Sequence, residues 1–201
     1  CGVLGPDSAR INLEQTIGRA EELAFRNNGL EPAEINWLKQ KQARLVVADI
    51  VPFALRVAAG AGIRSILLAN FTWSGIYKHL LARDDVSNEL RQRMRSVLDI
   101  LEKDESRGDL LLAVSMDLPM EACRMQEKVP IIARRGISCR KELIKVLGLD
   151  LARPTYLLYL GANGFGRIDW SFIQKLDGIQ LLSYHPPPGT EDHVIAVDAD
   201  R

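Results

Sequence analysis

Two short, unbroken apolar runs with a helix-sized segment between them constrain this chain more than any other feature. Leu45-Val46-Val47-Ala48 and Ile66-Leu67-Leu68-Ala69 are far shorter than a membrane span and lack the polar alternation of a half-buried strand. Continuous apolar runs of this length are what strands buried on both faces of a parallel sheet require. Between them Pro52 opens a helix through Ala54, Leu55, Ala58 and Ala59, and Gly60 and Gly62 stop it. Strand, helix, strand with short connections predicts a βαβ unit with a right-handed crossover. The expected fold class is therefore α/β, built on a parallel sheet. In such sheets ligands bind at the loops beyond the carboxyl ends of the strands.

The remainder of the chain extends the pattern. Leu13, Ile17, Ala20 and Ala24 predict a first helix, with Asp7 and Ser8 as candidate caps. A second is expected from about Glu31 to Gln42, with Pro32 in its first turn. Trp73, Ile76, Tyr77, Leu80 and Leu81 share one helical face. Residues 84–107 form a longer charged helix with Leu90, Met94, Val97, Leu98 and Leu101 as its apolar stripe. Leu110–Val114 and Val129–Ala133 read as strands. A second α/β unit is expected after residue 130. It holds a helix from Ser138, its candidate cap, to Leu147, a strand at Tyr156–Leu160, a helix over 168–177 and a strand at Ile179–Leu182. The domain expectation is thus 1–130 and 131–201. The chain opens on Cys1 rather than Met and stops just after a strand-like His193–Val197, which together predict a fragment.

Charge excludes some partners. Lys and Arg number 26, as do Asp and Glu, so the excess of positive charge that phosphate contacts demand is missing, and nucleic acid is not an expected partner. The basic cluster Arg91, Arg93 and Arg95 is followed by Asp99, Glu102, Asp104 and Glu105, which reads as a solvated helix face. Cys1, Cys123 and Cys139 are widely spaced and odd in number, which predicts a reducing, cytoplasmic setting. No run approaches the roughly 18 apolar residues of a membrane helix. His79, His185 and His193 lie far apart without a metal-ligand pattern, so no metal is expected. Neither a G-x-S-x-G elbow nor a Cys/His pairing supports nucleophilic hydrolysis.

Three strand-end segments carry the candidate chemistry. Asp49, after the first run, either caps the following helix or contacts a ligand, and the two roles are compatible. Asn70 and Thr72, after the second run, offer hydrogen bonds or caps, while Phe71 and Trp73 offer apolar platforms; Trp73 also falls on the buried helix face. Gly161-Ala162-Asn163-Gly164-Phe165-Gly166 follows a strand and precedes a helix, where backbone N–H groups and a helix N-terminus suit a phosphate. Its spacing is neither G-x-G-x-x-G nor a P-loop, so a structural turn is an equal reading.

The blocks Leu45–Pro52, Ala58–Ser65 and Asn70–Tyr77, followed by Val129–Arg135, Glu142–Leu149 and Tyr156–Gly161, resemble the glycosyltransferase-like N-terminal region of L-arabinokinase-type proteins. More distantly the layout is similar to the two-domain GT-B glycosyltransferases. The resemblance implies two Rossmann-like domains facing a cleft, with residues 1–130 on the acceptor side and 131–201 as part of a donor side. It implies a nucleotide-sugar donor, such as a UDP-linked sugar, as substrate rather than cofactor, and a small-molecule or glycan acceptor. On that picture Asp49, the candidate base, and Asn70 are cleft-facing residues of the acceptor side, while Thr72 and Trp73 are candidate substrate-binding residues from their own chemistry. Gly161, Asn163 and Gly164 lie near the donor's diphosphate. The alternative is a non-catalytic sugar-sensing or interaction module associated with a sugar kinase. The kinase domain of the arabinokinases, with its own phosphate loop, is not represented in these residues.

Overall fold

The computed structural model describes residues 2–6, 10–115, 118–121, 123, 125–159 and 168–197, which divide into two compact units, one built on residues 12–133 and the other on 134–197. In the first, α1 (Leu13–Gln40) precedes β1 (Leu45–Asp49), α2 (Pro52–Ala61), β2 (Arg64–Ala69), α3 (Trp73–Leu81), α4 (Asn88–Glu105), β3 (Leu110–Val114) and β4 (Gln126–Val129). The four strands are parallel, in the order β1-β2-β3-β4. This is the expected α/β architecture, with a Rossmann-like parallel sheet.

The strand order explains a departure from the sequence expectation. All three crossovers step in the same direction, and connections of one hand then place their helices on one face of the sheet. Ala48, Leu67, Ala69, Leu111 and Ala113 are buried with Leu55 of α2, whereas Val47 is 61% exposed and Leu45 50%. The first apolar run is therefore buried on one face among the described residues, rather than on both.

A second cluster joins Ile17 and Ala20 of α1, Tyr77 and Leu80 of α3, and Met94, Val97 and Leu101 of α4. Asn12 caps α1 by accepting from the Gln15 N–H at 3.0 Å, and the expected caps Asp7 and Ser8 lie outside the described residues. This helix runs unbroken for 28 residues, where the sequence predicts two. The Asn27-Asn28-Gly29 stretch reads as a break. Contacts from α2 override it: Arg56 Nη1 donates to Asn28 Oδ1 at 3.0 Å, and Arg56 Nε lies 3.5 Å from Glu31 Oε2.

The basic cluster on α4 also does more than face water. Arg93 ties α4 to α1 through Glu14 Oε1 at 2.7 Å and both carboxylate oxygens of Glu21 at 2.7 and 3.1 Å. Arg91 donates to the carbonyls of Leu81, Arg83 and Val86, closing the carboxyl end of α3 and the loop after it. Arg95 remains exposed. At the far edge, β4 covers Gln126–Val129 instead of Val129–Ala133. Edge strands carry charged side chains, so the polar Gln-Glu-Lys sequence hid this strand from an apolar criterion.

The second unit contains α5 (Arg140–Leu147), β5 (Thr155–Leu157), a 3-10 helix (Trp170–Lys175) where an α-helix over 168–177 is expected, β6 (Gln180–Ser183) and β7 (Val194–Ala196). Its strands are parallel in the order β5-β6-β7. Cys139, not Ser138, occupies the cap of α5, and Gly148 ends the helix in the left-handed conformation at φ 64°. Ile173, Leu182 and Val194 are buried in this unit. Among the described residues no helix is long and apolar enough to cross a membrane.

One-sided burial has a direct consequence for stability. Leu55→Ala is expected to cost about 3 kcal/mol in urea unfolding, as buried leucines do, while Val47→Ala costs less than about 1 kcal/mol. Comparable losses at both positions would show that the exposed face is covered in solution.

Candidate functional site

Beyond the carboxyl ends of β1 and β2 the first unit encloses a cavity of about 360 Å³. Its walls come from four helices and two strand-end loops. Ala20, Leu23, Ala24 and Asn27 belong to α1, Pro52, Phe53 and Arg56 to α2, and Val97, Ile100, Leu101 and Asp104 to α4; Trp73 opens α3. Asp49, Ile50, Val51 and Phe71 complete it from the loops. The parallel register pairs Asp49 with Leu68, so both strands end at the same level and their loops meet at one opening.

The loop after β1 is held in an unusual conformation. Ile50 has φ 54°, a left-handed geometry that a β-branched residue adopts only under strain, at about 1–3 kcal/mol. Its N–H donates to Leu68 O at 3.3 Å, and its side chain packs against the sheet core. The twist turns the chain from β1 into α2, whose N-cap is Val51 with no side-chain hydrogen bond. Asp49 is thus not the cap of α2. Its carboxylate is exposed at the cavity mouth and has no hydrogen-bond or ion-pair partner among the described residues.

The loop after β2 divides its labour. Thr72 is buried and caps α3, its Oγ1 accepting from the Gly75 N–H at 3.2 Å and lying 3.0 Å from Ser74 Oγ. Asn70 is exposed, and its backbone carbonyl accepts from Leu118 N–H at 2.8 Å. Trp73 lines the cavity, with its ring edge-on to Phe71 at 5.4 Å between centroids and tilted against Tyr77 at 6.2 Å. Platform and core roles therefore coincide in Trp73. Below it, Glu105 fixes the start of α3: Oε1 accepts from Ser74 N–H at 3.2 Å and Oε2 bonds Ser74 Oγ. A carboxylate there also faces the positive end of the helix.

Two residues that the sequence reading did not single out complete the polar lining. Arg56 is 8% exposed and Asp104 4%. Arg56 Nε lies 3.6 Å from Asp104 Oδ2 and 3.5 Å from Glu31 Oε2, yet this buried N–H has no hydrogen-bond partner among the described residues. Its guanidinium carbon stands 4.9 Å over the Phe53 ring. A signal for Arg56 was present: it is the single charge in the otherwise apolar α2. Asp104 was hidden among the many charges of α4.

Asp49 and Trp73 are brought together at this cavity; Asn70 and Thr72 do not line it. Gly161, Asn163 and Gly164 fall outside the described residues. The second unit has a wider cavity of about 660 Å³, where Ile137, Leu143, Ile144, Leu149 and Tyr156 form apolar walls. Among the described residues it lacks the pairing of an aromatic platform with a buried charge. No group of three or more metal-ligating side chains exists among the described residues.

The chain is similar to a region of L-arabinokinase from Arabidopsis thaliana, 33% identical over 168 residues, which are 83% of this chain and 16% of that protein. It is an arabinokinase-like region spanning about one-sixth of the relative's length. No protein-family profile matches it.

The carboxyl groups around α4 give the site a pH signature. Burial raises Asp104 above the ordinary carboxyl range against the opposing pull of Arg56, and burial raises Glu105 against its Ser74 hydrogen bonds. Between about pH 4 and those raised values the folded chain binds more protons than the unfolded chain, so these groups lower stability as pH rises through that interval. Glu105→Gln keeps the shape and removes the titration. Its stability relative to the parent is expected to improve as pH rises from about 4 to about 7 in urea unfolding. A relative loss over that range would mean that Ser74 and α3 stabilise the anion instead.

Proposed function

We propose that this chain is a sugar-binding module of a sugar-kinase-related protein and that the cavity beyond β1 and β2 is its site. The observation that carries the reading is the convergence there of an aromatic platform, a free carboxylate and a buried Arg–Asp pair. Sugars offer an apolar C–H face and a ring of hydroxyls, and this combination answers both. The relative's name, L-arabinokinase, supports a sugar such as L-arabinose as the ligand class. Phosphoryl transfer is not assigned to these residues: the cavity lining holds no glycine-rich phosphate loop and one cationic side chain among the described residues.

The free Asp49 carboxylate favours a second reading, in which the cavity holds the acceptor of a GT-B-type glycosyl transfer. Asp49 then takes the proton from an acceptor hydroxyl as its oxygen attacks the anomeric carbon of a nucleotide sugar, and the nucleoside diphosphate departs. Gly161, Asn163 and Gly164 are the proposed donor-phosphate contacts on that reading.

Calorimetric titration with L-arabinose and other monosaccharides tests the site. Binding is expected for at least one of them. Ala24→Trp, which fills the cavity from α1, is expected to weaken it at least tenfold while the circular dichroism spectrum stays unchanged. The proposal fails if no monosaccharide binds, or if a folded Ala24→Trp chain binds as well as the parent.

A further inference from the structure

The charge arrangement of the cavity narrows its ligand further, on the premise that it binds a sugar. Arg56 is the one cation in the lining among the described residues, and two carboxylates, Asp104 and Glu31, already stand within 3.6 Å of its Nε. Asp49 adds another negative charge at the mouth, without a partner. No positive surplus is left for a phosphate. An anion entering past Asp49 meets a like charge at the exposed mouth, where the repulsion weakens as salt rises.

The nearby helix end supplies little of the missing attraction. A helix N-terminus commonly binds phosphate through its free N–H groups. The first turn of α2, however, begins with Pro52, which has none, and the Ala54 N–H is already bonded to Val51 O at 3.1 Å. The polar groups that remain suit hydroxyls. Asp49 accepts, and the Asn27 amide both donates and accepts. Size agrees: about 360 Å³ is near the lower end of ligand cavities, which span roughly 300–1,000 Å³.

We infer that the cavity takes a neutral, unphosphorylated monosaccharide and rejects its phosphorylated and nucleotide-linked forms, because Asp49, Asp104 and Glu31 outweigh Arg56. On this assignment the site precedes sugar activation: it holds the substrate of a phosphorylating or glycosylating reaction rather than the product of one.

The test is competition calorimetry on the 201-residue chain with L-arabinose and D-galactose, their 1-phosphates, and the UDP-linked sugars. The free sugars are expected to bind and the 1-phosphates to bind at least tenfold more weakly. Asp49→Asn, an exposed substitution that leaves the packing intact, is expected to narrow that gap several-fold, and raised salt to narrow it too. A 1-phosphate or UDP-sugar that binds as tightly as the free sugar overturns the inference but leaves the sugar-binding reading standing. A gap unmoved by Asp49→Asn also overturns the charge argument. Absence of binding by every form removes both the inference and its premise.

Discussion

A guanidinium buried among three helices organises the first unit. Arg56 projects from α2 toward Asn28 and Glu31 of α1 and Asp104 of α4, while its flat face rests over Phe53. Withdrawing that charge from water is costly, and removing one partner of such a buried pair costs about 3–5 kcal/mol. The pairing is also specific, because a charge in that position is tolerated only where α1, α2 and α4 meet in one arrangement. It carries α1 past its Asn-Asn-Gly stretch without a break. The space that these helices leave beside the strand ends is the cavity.

The strand loops then supply what the helices lack. Four parallel strands in chain order bury one face under α2 and bring Asp49 and the Phe71–Trp73 pair to the same end of the sheet. The Ile50 N–H bond to Leu68 O, with the packing of Ile50 on the core, and the Glu105–Ser74 contact hold the two loops in place from below. Rigid support under polar groups with unused hydrogen-bonding capacity is the arrangement expected of a binding site. The same arrangement limits chemistry: one cation shared among acids suits recognition of hydroxyls better than stabilisation of phosphate charge.

Much of this was legible in the sequence, and the failures have physical causes. The runs Leu45–Ala48 and Ile66–Ala69 identified parallel strands because backbone pairing and burial leave little choice at such positions. Their ends located Asp49 and Trp73. One-sided burial was not legible, since it follows from strand order rather than from any local pattern. The continuity of α1 and the polar strand β4 were hidden because tertiary contacts and edge position outweighed local preference. Arg56 and Asp104 belong to helices far apart in sequence, and only packing makes them a pair.

The account rests on the claim that the end of β1 and the end of β2 form one sugar site within the first unit. Mapping amide chemical shifts by NMR during a titration with L-arabinose addresses it residue by residue. The account predicts shifts concentrated at Asp49–Phe53, at Phe71–Trp73 and around Asn27, Arg56 and Asp104, with residues of α5 and β5–β7 unmoved. Shifts confined to residues 137–156, where the wider apolar cavity lies, would contradict it.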